Sequence, residues 1–135
     1  GFYMLQRDYI LEIIADFSRA VTQALKEAYD TKDPKSLEIV KQQVAELIDL
    51  SPETACALAP DSLVTMMLLS GVADSVAEYV SYALERASRI YDQLGDTDAS
   101  GLRHLQAQAV AESFNCDLSA VPKEFTELEA ECFEK

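Results

Sequence analysis

His104 is the single histidine of the chain, and the cysteines Cys56, Cys116 and Cys132 stand far apart. A zinc site needs several such ligands at tight spacing, and a nucleophilic Cys–His pair needs both side chains within hydrogen-bond reach. Nothing in these spacings asks for either. The segment Asp96-Thr97-Asp98-Ala99-Ser100-Gly101 reproduces the first half of a calcium loop, with oxygen ligands at alternate positions and a glycine for the turn. The second half departs from the pattern. Ala107 stands where the bidentate glutamate belongs, and His104 where an oxygen ligand belongs. The segment reads instead as a helix junction, with Gly95 ending one helix and Asp98 capping the next. Gly101 stands three residues before His104, so the Glu-x-x-His motif of di-iron bundles is absent. Glu124, Glu127, Glu131 and Glu134 share one face of a terminal helix and read as a solvated ridge. With four glycines in all, the chain has no phosphate loop, nucleophile elbow or dinucleotide fingerprint. The expectation is a protein that is not an enzyme, with no catalytic, metal or cofactor-binding residue.

The remaining conspicuous side chains are of the types that make protein contacts. Tyr82 lies off the centre of its helix's apolar stripe, beside Arg86, with Tyr79 between the two, and Phe2, Tyr3, Met4 and Leu5 crowd the N-terminus. Tyr, Phe, Met and Arg are favoured in interfaces. These seven residues are the candidates for contact with a protein partner or a second copy, as in a homodimer. The other reading of Tyr79, Tyr82 and Arg86 is a wide stripe that the bundle itself covers. The functional alternative is a small-ligand or metal-binding helical bundle, or an enzyme built on one, with its site near His104.

All of these residues fall on helices. Tyr3, Ile10, Ile14, Phe17, Val21, Ala24, Leu25 and Ala28 form one stripe at helical spacing, predicting a helix over Tyr3–Tyr29. Asp33 caps a second helix that opens on Pro34 and buries Leu37, Val40, Val44, Leu47 and Ile48. Ser51-Pro52-Glu53 opens a third, over Pro52–Leu58. Leu63–Leu69 is apolar around most of its circumference, so it should be buried on most sides or covered by a partner. Gly71 ends it. Asp74–Leu94 carries a core stripe of Val76, Val80, Ala83, Ala87, Ile90, Tyr91 and Leu94, with Glu78, Glu85, Arg89 and Asp92 opposite. Ala99–Phe114 follows, and a last helix places Phe125, Leu128 and Cys132 on its apolar side. The chain therefore reads as one all-α domain, residues 1–135, a bundle of about seven helices with short connections.

Composition agrees. Apolar residues are 49% and charged residues 26%, the balance of a globular chain able to bury a core. The net charge is −13, so nucleic acid and anionic membrane surfaces are unfavourable partners. Residues 1–50 carry a net −3 and residues 51–135 a net −10. The longest uncharged apolar run is too short to cross a bilayer, which implies no membrane insertion. Three scattered cysteines suggest a reducing, cytoplasmic setting.

Two resemblances bear on the fold. Ala83, Ala87, Tyr91, Gly95 and Asp96, with Ala107 and Ala111 on the next helix, make the hairpin from Val76 to Phe114 similar to a tetratricopeptide repeat, although Ser100 and His104 depart from that pattern. Asp8-Tyr9-Ile10-Leu11-Glu12-Ile13-Ile14 opening a long helix, the Leu-rich helix ending near Gly71 and the Ala-rich hairpin together resemble an uncharacterised all-helical family of Gram-positive bacteria, a domain of unknown function. That resemblance implies an all-α fold and assigns no activity.

Overall fold

The computed structural model describes residues 2–72 and 74–134, with side chains from Tyr9 onward. The described residues are helical and contain no strand. Seven α-helices follow in order: α1 Phe2–Thr31, α2 Leu37–Leu47, α3 Pro52–Ala57, α4 Pro60–Leu69, α5 Asp74–Gln93, α6 Thr97–Ser113 and the single turn α7 Thr126–Leu128. Short 3₁₀ turns precede α2 at Pro34–Ser36 and α7 at Lys123–Phe125, and α7 runs on into a π turn at Glu129–Phe133. Residues Lys123–Phe133 are here called the strap.

Caps set the boundaries. The Asp33 carboxylate accepts from the Lys35 amide, and Ser51 Oγ from the Thr54 amide, each just before a proline whose missing N–H costs the helix nothing. The cap of α6 is Asp96, whose side chain accepts from the Ala99 amide at 3.0 Å, and not the expected Asp98. Helix α6 thus starts at Thr97, and the calcium-like segment is its first turn rather than a loop. Gly95 ends α5 with φ +86°, and Asn115 takes the left-handed conformation after α6 with φ 57°.

Helix α5 is the axis of the fold. Helices α1, α2 and α6 pack against it, and residues 81–88 are buried without interruption. Its expected core residues Val80, Ala83, Ala87, Ile90 and Tyr91 are buried. Glu85, expected on the solvent side, is also buried. A helix covered all round must satisfy its polar side chains internally. Here the Ser81 hydroxyl donates to the Glu78 carbonyl, Ser88 to the Ser100 carbonyl, Glu85 meets His104, and Tyr82 and Arg86 meet the strap. The pairings 88 with 100 and 85 with 104 step away from the turn in opposite directions, so α5 and α6 are antiparallel.

Helix α1 buries Ile14, Phe17, Val21, Ala24, Leu25 and Ala28, the expected stripe from its fourth turn onward. Each such full burial contributes about 1.5–3 kcal/mol for the larger side chains. Helix α4 is covered by the body on one side. Leu63, Val64 and Met67 are buried against the body, but Leu68 and Leu69 face solvent, Leu69 at 77% exposure. A helix of ten residues packing chiefly on α6 buries one side only.

Candidate functional site

The densest polar chemistry lies where the strap crosses α5. Tyr82 and Arg86 stand four residues apart on α5, and Phe125 and Glu129 stand four apart on the strap, so each pair shares a helix face. The two faces meet. The Phe125 ring stacks on Tyr82 with centroids 4.3 Å apart and planes 13° from parallel. Glu129 Oε1 accepts from Arg86 Nε at 2.8 Å and from the Tyr82 hydroxyl at 3.0 Å. Its Oε2 accepts from Arg86 Nη2 at 3.0 Å, completing a bidentate fork. The guanidinium lies over the Tyr82 ring, 4.3 Å from the centroid, and the Phe133 ring comes within 5.9 Å. One donor remains: Arg86 Nη1 is buried and has no hydrogen-bond partner.

The electrostatics follow from this packing. Burial pushes the Glu129 carboxyl up, but the hydrogen bonds and charge of Arg86, helped by the Tyr82 hydroxyl, outweigh it and hold the group below its ordinary value. Burial, then the Glu129 charge, pushes the Tyr82 phenol well above its ordinary value. Two outer contacts flank the core pair. Tyr79 Oη donates to Glu124 at 2.8 Å, and Lys26 reaches Glu131 from α1 at 3.0 Å with both side chains half exposed.

A second polar seam joins α6 to the end of α3. Arg103 Nη1 donates to the Cys56 carbonyl at 2.9 Å and to Gln106 Oε1 at 2.6 Å, and Gln106 Nε2 donates to the Leu58 carbonyl at 2.9 Å. Both side chains are buried, and Arg103 Nε has no partner. A cleft of about 270 Å³ beside it is lined by Glu38, Lys41, Pro52, Glu53, Cys56, Ala57 and Arg103. Burial pushes the Cys56 thiol up, which makes it a poor nucleophile.

His104 does not meet the cysteines. Its Nδ1 lies 2.7 Å from Glu85 Oε1, with the imidazole 46% exposed and the carboxylate largely buried. Among the described residues no group of three or more His, Cys, Asp or Glu is placed to hold a metal ion.

The expected contact residues divide in two. Tyr82 and Arg86 are each 1% exposed, so neither is a surface residue, and the interface reading of this pair is corrected by the strap that covers it. Tyr79 is half-buried and tied to Glu124 in the same seam. The side chains of Phe2, Tyr3, Met4 and Leu5 lie outside the described residues. Just beyond them, Tyr9 and Leu11 are largely exposed and Ile10 is 39% exposed. Glu124, Glu127, Glu131 and Glu134 are exposed, as a solvated ridge should be.

Sequence reasoning missed Glu129, Arg103 and Gln106. Glu129 carried a signal. It sits one turn after Phe125, on the same apolar side as Leu128 and Cys132, and a glutamate on that side needs a cation opposite. Arg103 and Gln106 carried none, because their main acceptors are backbone carbonyls that no side-chain pattern marks.

The fold and its seams define the class of this chain as an all-α bundle closed by a C-terminal strap. No family model, no curated protein and no solved structure matches the chain. No helix among the described residues is long and apolar enough to cross a membrane.

Proposed function

We propose that this chain is a protein-binding module that associates with a second copy of itself through the opening turns of α1. The observation that carries the reading is the mismatch between the stripe on α1 and the body that covers it. The apolar positions run Ile10, Ile14, Phe17, Val21 without a break, yet burial begins at Ile14. Tyr9 and Leu11 are largely exposed and Ile10 is 39% exposed, so apolar side chains remain uncovered at this end of α1.

Charge favours a second copy at this place. The chain carries −13, so two copies repel each other over most of their surface. Residues 1–25 hold only Arg7 and Arg19 against Asp8, Glu12 and Asp16, a net −1. Two molecules meeting there bury apolar surface where like charge is low. The scattered cysteines support a cytoplasmic setting for this assembly.

Light scattering across a wide range of protein concentration tests the reading. The mass should rise from one copy toward two, at lower concentration when salt screens the net charge. Ile10→Asp should hold the chain at one copy with its helix signal unchanged. A one-copy mass at every concentration and salt would overturn it.

The His104–Glu85 pair favours a second reading, a small-ligand site in which the buried carboxylate orients a half-exposed imidazole. Its mark is a metabolite or metal that raises the melting temperature of the wild type and not of His104→Ala.

A further inference from the structure

We propose that the cleft between α2, α3 and α6 binds a free α-amino acid, with Arg103 holding its carboxylate and Glu53 its ammonium group. The site is separate from the α1 contact and from the His104–Glu85 pair.

Glu38 and Lys41 of α2, Glu53 and Cys56 of α3 and Arg103 of α6 line this cleft. Arg103 is 6% exposed. Its Nη1 is committed to the body, donating to the Cys56 carbonyl and to Gln106 Oε1. The other edge of the guanidinium is idle. Nε is buried with no partner, and Nη2, which makes no hydrogen bond to a described residue, stays open to solvent. Arg86 shows what such an edge takes. Its Nε and Nη2 hold both oxygens of Glu129 in a fork. Arg103 offers the same two nitrogens beside a cleft. A ligand carboxylate that docks on Nη2 and closes on Nε gives the orphaned donor an acceptor and the buried cation a countercharge.

The rest of the ligand follows from the charges around that edge. Arg103, Lys41, Glu38 and Glu53 all act on the Cys56 thiol, so they surround one small volume. Lys41 is tied to Glu38 at 3.1 Å, whereas Glu53 makes no ion pair with a described residue. A simple carboxylate would meet Glu38 and Glu53 as like charges, on a chain of net −13. A zwitterion escapes that repulsion, because its own charge sums to zero and its ammonium group faces Glu53. The cleft of about 270 Å³ lies just below the range of drug-sized pockets and suits a ligand of amino-acid size.

Thermal unfolding of the full chain with each standard amino acid in turn tests this. At least one should raise Tm in proportion to the logarithm of its concentration above Kd. The same molecule without its amino group, or without its carboxyl group, should bind roughly tenfold more weakly. Arg103→Lys keeps a positive donor near the Cys56 carbonyl but loses the fork, and should abolish the shift. Glu53→Gln changes an exposed side chain and leaves the fold alone. It should weaken the amino acid roughly tenfold and leave binding of the acid without its amino group unchanged. If Arg103→Lys does not fold, Glu53→Gln decides by itself. No shift from any amino acid would overturn the proposal, as would a shift that survives in a folded Arg103→Lys. Undiminished binding by Glu53→Gln would overturn the amino-acid assignment. A shift lost in His104→Ala but kept in Glu53→Gln would place the ligand at the Glu85 pair instead.

Discussion

Arg86 and Arg103 are both buried, and the molecule treats them differently. Arg86 faces a carboxylate from a segment 43 residues away, in a bidentate pair with an aromatic on its face. Arg103 faces a backbone carbonyl and a side-chain amide, and among the described residues no carboxylate forms an ion pair with it. The first device compensates charge with charge and depends on the strap being docked. The second compensates charge with dipoles fixed in the body, beside a cleft that admits water. Buried cations can thus be accommodated by either route, but only the first couples the cation to a charged side chain on a segment distant in sequence.

Removing the acid of the first pair should have the largest effect. Glu129→Ala strands the Arg86 guanidinium, a loss of about 3–5 kcal/mol for a broken buried pair. The strap should yield first. Amide exchange should speed up across Lys123–Phe133 while α6 keeps its protection. The double replacement Arg86→Met with Glu129→Leu removes both charges and should recover most of the urea midpoint lost by Glu129→Ala. A double variant no better than the single one would show that the ion pair itself holds the strap.

The second arginine should cost less. Arg103→Leu leaves the Cys56 carbonyl without its arginine donor and Gln106 Oε1 unmet, which costs about 1–3 kcal/mol. No carboxylate is stranded, and the loss should appear in global unfolding and not as strap exchange. A larger loss than for Glu129→Ala would reverse the ranking of the two devices.

Acid should separate the seams further. Glu129 is held below its ordinary value of 4.5, so its contribution is complete above that pH and is lost as pH falls through the lower folded value. Arg86, Tyr82 and Arg89 are the groups that act on it. The strap should therefore stay docked down to its ordinary carboxyl value and loosen below it. In Arg86→Met/Glu129→Leu, exchange across the strap should lose this acid dependence. Among the described residues no carboxylate hydrogen-bonds to the Arg103 seam, so protection around Cys56 and Leu58 should not follow the same curve.

The fold was legible because its signals are local. Asp33-Pro34, Ser51-Pro52 and Gly95 mark helix ends by chemistry within a few residues, and the stripe from Ile14 to Ala28 is a single-helix property. The site was not legible because it is a property of two segments. Tyr82 and Arg86 have the look of an interface and form one, but with the strap of their own chain. Their neighbours on α5 give no sign that a helix 43 residues on will cover them. Glu85 looks solvated for the same reason, since the imidazole that meets it is on α6. Leu68 and Leu69 are not buried by the bundle, which takes away the first of the two alternatives that the apolar run allowed. An apolar run calls for cover by the body or by a partner, and the body covers only the side of α4 that bears Leu63, Val64 and Met67.

The smallest expected effect isolates the tyrosine's part in the first device. Tyr82→Phe keeps the ring stacked on Phe125 and beneath the guanidinium, and removes only the hydroxyl that donates to Glu129 Oε1. That oxygen keeps its bond from Arg86 Nε, so it is not orphaned. The loss should be about 1 kcal/mol, the net worth of one hydrogen bond with its acceptor still served. Tyr82→Ala also removes the ring, opens a cavity under Arg86 and should cost about 3–5 kcal/mol, by the pattern of aromatic truncations in cores. The two urea midpoints therefore divide the tyrosine into ring and hydroxyl. Equal losses would mean that the hydroxyl fixes the carboxylate's geometry and that the fork to Arg86 does not form without it.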